Sequence, residues 1–278
     1  MRISVVIPTL GRRDHFEKVF RSIDAQEHRP VQVIVVNQGG EAEKIRRAAE
    51  PYAGLDVVVI SSDRGASKAR NAGVAAAADV DIIGFLDDDC LYAPSALSEA
   101  VKAFEFPDVG ATSGRLMAVQ ERVQFGEKAR DIDTRTVWTH TIEATTFVRA
   151  SVLAEVGPFD ECLGIGCPTP WQSGEGTDLL IRIIRAGHRV TYSPSIVVHE
   201  LQEPVASAQW ITKVRAYARG TGRVYRRHYG LLSWGRVVAA PLVAAIYAAG
   251  NGRHEEAARK VQASIGRLEG LLGRLLSA

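Results

Sequence analysis

The stretch "IIGFLDDDC", residues 82–90, runs a short apolar segment straight into three consecutive carboxylates. Ile82 to Leu86 show no polar alternation, the pattern of a strand buried on both faces in the middle of a parallel sheet. Asp87, Asp88 and Asp89 then fall at its carboxyl end. Adjacent like charges repel one another, and a carboxylate withdrawn from water is costly unless a cation compensates it. The surrounding sequence must supply that cation or show that none is needed.

The same strand type recurs upstream. Apolar, β-branched runs at 3–7, 31–36 and 55–60 alternate with segments of helical spacing at 14–25, 42–50 and 67–78. A further helix with proline at its start is expected over 94–104. Unalternating strands separated by helices predict an α/β fold, a mostly parallel sheet covered on both faces. Ligands of such sheets bind beyond the carboxyl ends of the strands. The polar runs "TLGRR", "NQGG", "SSDRG" and "DDDC" all fall at that edge, which locates the site.

Beyond residue 116 the pattern loosens. A polar excursion is expected over 117–136, an extended segment over 137–148, and a short helix over 150–156. The Gly/Pro-rich loop at 157–176 is too long for a connector and reads as functional. A helix over 179–186 ends at Gly187, and short strands at 190–192 and 196–198 lead to His199.

The chain has 278 residues, 46% hydrophobic and 24% charged, which suits a globular protein and excludes a disordered or collagen-like one. Cys90, Cys162 and Cys167 are an odd number without framework spacing and point to a reducing compartment. "MRISVVIPTLGRR" reads as a strand rather than a leader, so a cytoplasmic location is expected. The net charge of +2 conceals an asymmetry: residues 205–278 carry 12 Lys/Arg and 3 Asp/Glu, whereas 1–204 carry 22 and 29. A basic, helical tail on an acidic body suggests a second element with its own partner. An anionic membrane surface, touched peripherally, or packing on the body or a second subunit are the two readings. Nucleic acid is not expected, because aromatics are few there and no nucleic-acid motif is present. Within the tail, "VVAAPLVAAIYAAG" (237–250) spans 14 residues and contains Pro241. A bilayer-crossing helix needs about 20 residues, so this one is expected to lie in an interface or to pack, not to cross. A last amphipathic helix is expected over 255–276.

Four constellations carry chemistry. The three carboxylates suit a hard divalent cation, Mn2+ or Mg2+, of the kind that bridges phosphates; read alone they equally suit a solvated acidic turn. In "DRGASKARNAG", Arg64, Lys68 and Arg70 stand at a strand-to-helix junction, where Gly65 permits a tight turn and the helix N–H groups suit an anion. In "SGEGTDLLIR", Glu175 and Asp178 lie three apart at a helix N-terminus, either as cap and dipole charges or as a general base beside a glycine-rich loop. His199 ends a strand beside Glu200, in a structural role or as an imidazole completing a metal shell.

Taken in order, "VVIPTLGRR", the polar strand end near residue 37, "RGASKARNAG", "FLDDDC", "FVRASVLAEVGPFDE" and "GEGTDLLIRIIRAGHRVTYSPSIVVHE" resemble the family 2 glycosyltransferases, inverting enzymes with a GT-A fold. The resemblance covers about residues 1–200. It implies a catalytic domain over 1–204, with a nucleotide-binding half (1–116) and an acceptor and base half (117–204), followed by a basic helical extension over 205–278. It also implies a site. Asp87-Asp88-Asp89 would match the DxD motif, Asp89 binding the metal and Asp87 the ribose or metal. Pro8, Thr9 and Gly11 would line the nucleotide pocket, with Asn37 at the second strand end. Arg64 and Lys68 would meet the nucleotide or diphosphate, and His199 would be the third metal ligand. Asp178 or Glu175 would deprotonate the acceptor hydroxyl, the first preferred.

What the resemblance implies is transfer of a sugar from a UDP-, dTDP- or GDP-sugar to a hydroxyl acceptor, at or near the inner membrane face, in cell-envelope polysaccharide or glycolipid synthesis. The acceptor is lipid-linked on that reading, and an oligomer is compatible with it. Two departures stand out. Many members carry an aspartate after the second strand, where this chain has Asn37 and Gln38, and amides leave the base of the nucleotide open. Many also carry adjacent Glu-Asp in the base motif, where this chain has Glu175 followed by Gly176. The rival readings are a non-catalytic sugar-nucleotide-binding or scaffold protein, which that departure favours, and a nucleotidyltransferase, which would need a more glycine-rich loop than "PTLGRR".

Overall fold

Every position of "VQVIVVN" is buried, so this strand has sheet on both sides and covers on both faces. In the computed structural model, which describes residues 1–11, 15–29, 31–118, 126–201 and 207–276 (side chains of 207–212 excepted), it is the second of nine strands. The elements run β1 (Ile3–Thr9), α1 (Phe16–Asp24), β2 (Val31–Asn37), α2 (Ala42–Ala49), β3 (Asp56–Ser61), α3 (Ala66–Ala76), β4 (Ile82–Phe85), β5 (Cys90–Tyr92), α4 (Ala96–Ala103) and β6 (Val109–Ala118). They continue with β7 (Arg130–Ile132), α5 (Val137–His140), β8 (Phe147–Arg149), α6 (Ala150–Val156), α7 (Glu175–Arg185), β9 (Arg189–Glu200), α8 (Ser207–His228), α9 (Leu231–Gly250) and α10 (His254–Leu272).

The sheet order is β3-β2-β1-β4-β8-β6-β9-β5, with β7 on β9. The first four strands are parallel, as their unalternating sequences require. β8 then runs antiparallel between β4 and β6, and β6 pairs parallel with β9. Side-chain alternation assigns the two covers. Ile3, Val5 and Ile7 of β1 share a core with Phe16, Val19, Phe20 and Ile23 of α1. On the opposite face, Gly73 of α3 approaches Val6 and Val36 so closely that an added Cβ would collide with Val6.

Several expectations are corrected. β1 runs past the expected residues 3–7, through Pro8 to Thr9. Residues 137–148 are not extended. Asp133 Oδ1 accepts from the Thr136 N–H at 2.7 Å and the Arg135 N–H at 2.8 Å, and this turn launches the short helix α5 before the chain reaches β8. The two short strands before His199 are one strand, because a register shift between Ser113 and Arg115 absorbs the Ser193-Pro194-Ser195 interruption. α7 starts at Glu175, four residues before its expected start, since Gly174 turns the chain at positive φ and the Asp178 N–H bonds Gly174 O at 2.9 Å. The expected helix start at Asp14 lies outside the described residues, as do 119–125 of the polar excursion.

The apolar helix α9 has 20 residues, not 14, because Leu231 to Arg236 join it and Pro241 does not end it. Among the described residues it is the one helix long and apolar enough to cross a membrane, by length and composition alone. Trp234 Nε1 donates to Tyr225 O at 3.0 Å and Tyr229 O at 2.7 Å, fastening its start to the end of α8.

Two compact units divide the chain. The first holds the sheet: Met1–Arg64, Lys68–Phe159 and Leu179–Glu203. The second holds Gly65–Ser67, Asp160–Asp178 and Pro204–Ala278. Within it, α8 and α10 cross backbone on backbone, since a Cβ at Gly222, Gly266 or Gly270 would run into the main chain of the facing helix. Glu269, fully buried, receives Arg215 at 2.6 Å and Arg219 at 2.7 Å.

Candidate active site

In the first unit, the carboxyl ends of β1, β2 and β4 bring four predicted groups together. Thr9 Oγ1 donates to Asp88 Oδ2 at 2.6 Å and accepts from the Gly11 N–H at 2.9 Å. The loop after β1 is thereby tied to the acidic turn after β4, and Gly11 takes a positive φ of 70° there. Asn37, buried at the end of β2, accepts from the Gly39 N–H at 3.1 Å through Oδ1, while the Gln38 N–H bonds Thr9 O at 2.8 Å. A compensating cation for the turn is Arg70: buried on α3, it reaches Asp87 Oδ1 at 3.1 Å. Phe159 lies under its guanidinium, 5.8 Å from ring centroid to Cζ. Of the other basic residues in "DRGASKAR", Lys68 pairs with Asp63 and Arg64 is exposed.

The donor set at this turn fits a hard divalent cation. Oxygens of Asp87 and Asp89 and the Cys90 sulfur lie within 4.8 Å of one another. Burial first, then the charges of Asp87 and Asp89, push the Cys90 thiol well up, so the carboxylate oxygens would be the donors to a bound cation. His199 stands exposed on β9, paired in register with Leu91 and Met117, and is not part of that grouping.

The second unit holds both candidate bases. Ser67 Oγ donates to Leu163 O at 2.6 Å and the Ala66 N–H to Ile165 O at 2.9 Å, pinning the glycine-rich loop to the start of α3. Gly164 has a positive φ of 100°, and a Cβ there would lie 2.9 Å from the Glu175 carboxyl carbon, so the loop wraps Glu175 tightly. Asp178 is 0% exposed. Arg227 donates to its Oδ1 at 2.9 Å and His228 Nε2 lies 2.8 Å from the same oxygen. Arg227 also pairs with Asp160. These partners come from α8, in a run, "RRH", that the sequence presents only as part of a basic helix.

Residues 4–155 match the model of glycosyl transferase family 2, and the chain belongs to that family. Its fold is the GT-A type. Among curated relatives, the pre-mycofactocin glycosyltransferase of Mycobacterium tuberculosis is 25% identical over 244 residues, 81% of this chain. The chain spans 48% of that relative's length. Two solved structures share the fold. Staphylococcus aureus TarS 1-349, solved in complex with UDP-GlcNAc, superposes with a TM-score of 0.62 at 13% identity, covering 99% of this chain and 93% of that one. The mannosyltransferase PcManGT of Pyrobaculum calidifontis, solved with GDP-Man and Mn2+, gives 0.64 at 17% identity over 98% and 87%.

Proposed function

We propose that this chain is a divalent-cation-dependent, inverting glycosyltransferase that moves a sugar from a nucleoside-diphosphate sugar to a hydroxyl acceptor. The acceptor belongs to a cell-envelope polysaccharide or glycolipid, reached at the cytoplasmic face of a membrane. The observation that carries the reading is the Thr9–Asp88 hydrogen bond of 2.6 Å, which joins the β1 loop to the acidic turn at the edge where such sheets bind ligands. The ligands in the two solved neighbours, UDP-GlcNAc in one and GDP-Man with Mn2+ in the other, support the same donor class.

In this reading residues 1–204 form the catalytic domain and 205–278 a helical extension. Pro8, Thr9, Gly11 and Asn37 line the nucleotide pocket, while Arg64 and Lys68 meet the diphosphate. Asp89 and Asp87 hold the cation, with His199 the candidate third donor; Arg70 orients Asp87. Mn2+ or Mg2+, when bound, supplies positive charge for the leaving diphosphate. Asp178 takes the proton of the acceptor hydroxyl. The acceptor oxygen forms a bond to the anomeric carbon as the bond from that carbon to the diphosphate oxygen breaks. The nucleoside diphosphate leaves with the electron pair, and attack from the opposite face inverts the centre. Arg227 and His228 hold Asp178 in orientation.

Calorimetry with UDP, dTDP and GDP, with and without Mn2+, tests the donor half. Metal-dependent binding of one nucleotide, lost in Asp89→Ala, is expected. Failure of all three to bind with metal present would overturn the reading.

A further inference from the structure

The second unit carries features that glycosyl transfer does not use. α9 buries Val237, Pro241, Ala245 and Ala248. Its opposite face is exposed and apolar: Leu232 is 89% exposed, Val243 66% and Ile246 74%, with Leu242 beside them. Leu232 and Val243 lie eleven residues apart, about three turns, and Ile246 follows Val243 by three, so they fall on one stripe along the helix, interrupted by a single charge at Arg236. An exposed apolar face of this length marks an interaction surface. Beside it lies a cavity of about 580 Å³. Pro241 and Ala244 of α9 form its apolar wall, and Arg259, Lys260 and Arg267 of α10 its cationic wall. Glu256 also lines it but is paired with Arg253 at 2.9 Å. Among the described residues neither Arg259 nor Lys260 has an ion-pair partner. Arg267 donates to Val237 O at 2.9 Å, which holds its guanidinium at the cavity.

We propose that the exposed face of α9 and the Arg259–Lys260–Arg267 cavity together form a docking site for an anionic phospholipid surface. The apolar stripe enters the acyl boundary and a lipid phosphate enters the cavity. The helix lies in the plane of the surface. It cannot cross alone, because its other face is packed against α10, and α10 bears Glu255, Glu256, Arg259 and Lys260. Charge selects the occupant. Residues 205–278 hold 12 Lys/Arg against 3 Asp/Glu, so a second copy would set like charge against like, whereas an anionic leaflet is complementary. The inference deepens the membrane-face part of the reading above and rests on it.

The test is co-sedimentation of the full chain with phosphatidylcholine vesicles, with and without phosphatidylglycerol. Binding only to the anionic vesicles, weakened by salt, is expected. Ile246→Glu, on the exposed face, should lower binding about tenfold or more. The double variant Arg259→Ala/Lys260→Ala should lower it about tenfold, from two basic contacts at a charged surface. Circular dichroism of each variant should match the parent, which separates lost docking from lost folding. Inorganic phosphate should not displace the chain from vesicles; displacement by phosphate with Ile246→Glu binding as the parent would identify a free-phosphate pocket and overturn the proposal. Failure to bind anionic vesicles, with a sedimentation mass that Ile246→Glu halves, would make the face a contact between copies and also overturn it. Metal-dependent nucleotide binding, measured without lipid, reports on the transferase reading separately, so a vesicle failure with nucleotide binding intact removes only the docking site.

Discussion

Two sets of carboxylates, one enclosed in the helical unit and one at a strand edge of the sheet, are handled in opposite ways in this molecule. Glu269 in α10 is enclosed and answered by its own unit: Arg215 and Arg219 clamp both oxygens, and the Leu276 N–H adds a bond at 2.9 Å. Asp87–Asp89 stand at the carboxyl edge of the parallel strands, where Arg70 contacts Asp87 and Thr9 contacts Asp88. Two guanidiniums on one enclosed carboxylate suit structure, whereas a cluster of three carboxylates at the ligand-binding edge of a sheet suits a ligand that brings its own charge. Asp178 lies between these extremes, fully buried but held by Arg227 and His228 on one oxygen.

The comparison can be broken where it predicts most. Asp178→Asn should lower turnover by about 10²–10⁴-fold, the usual range for a general base, and leave nucleotide binding unchanged. Unaltered turnover would move the base to Glu175, checked by Glu175→Gln. Glu269→Gln should destabilise the helical unit by about 3–5 kcal/mol, because two arginines lose their carboxylate; urea unfolding followed by helical signal reads this.

Glu269 also predicts a pH dependence. Burial alone would raise its carboxyl, but the hydrogen bonds from Arg215 and Arg219 more than offset this and hold it at about 2, below its ordinary 4.5. A depressed acid stabilises the folded state fully above its unfolded value. That contribution, on the order of 3 kcal/mol, should fade as the pH falls from about 4.5 and be gone below about 2. Glu269→Gln should lack this fade, so the difference in stability between the two proteins should carry it. A difference that is flat across this window would contradict the saturated clamp.

Smaller effects sharpen the other side. Asp89→Ala should weaken metal-dependent nucleotide binding by about 10–100-fold, with thermal stability almost unchanged, because the turn is built for a ligand and not for the fold. A large loss of stability instead would make the acidic turn a structural element like Glu269. Gly73→Ala should cost about 1–3 kcal/mol in a thermal melt, since the new methyl must displace Val6. No change would mean that α3 moves freely over the sheet.

The parallel half of the sheet was legible because β1, β2 and β4 are almost wholly buried and β3, half-buried at the sheet edge, likewise carries an apolar run without polar alternation. "IIGFLDDDC" placed the acidic turn at a strand end, and the spaced motifs named the family. Helix α9 was read six residues short because Arg236 and Gly235 break the apolar run without breaking the helix. β9 was split in two because Pro194 suggests an end, whereas the bulge opposite Gly114 that accommodates it lies about 80 residues away in sequence. The partners of Asp178 were illegible for the same reason: Arg227 and His228 are 49 and 50 positions distant and look like any basic helix end.

By itself, then, the sequence determined the strand-and-helix order, the edge at which the site lies and the family, since these follow from local burial pattern and short motifs. Only the tertiary structure decided that Arg70 meets the acidic turn, that Arg227 and His228 meet Asp178, and which face of α9 stays exposed. Those depend on where side chains distant in sequence come within about 3 Å of one another, and no periodicity along the chain records that distance.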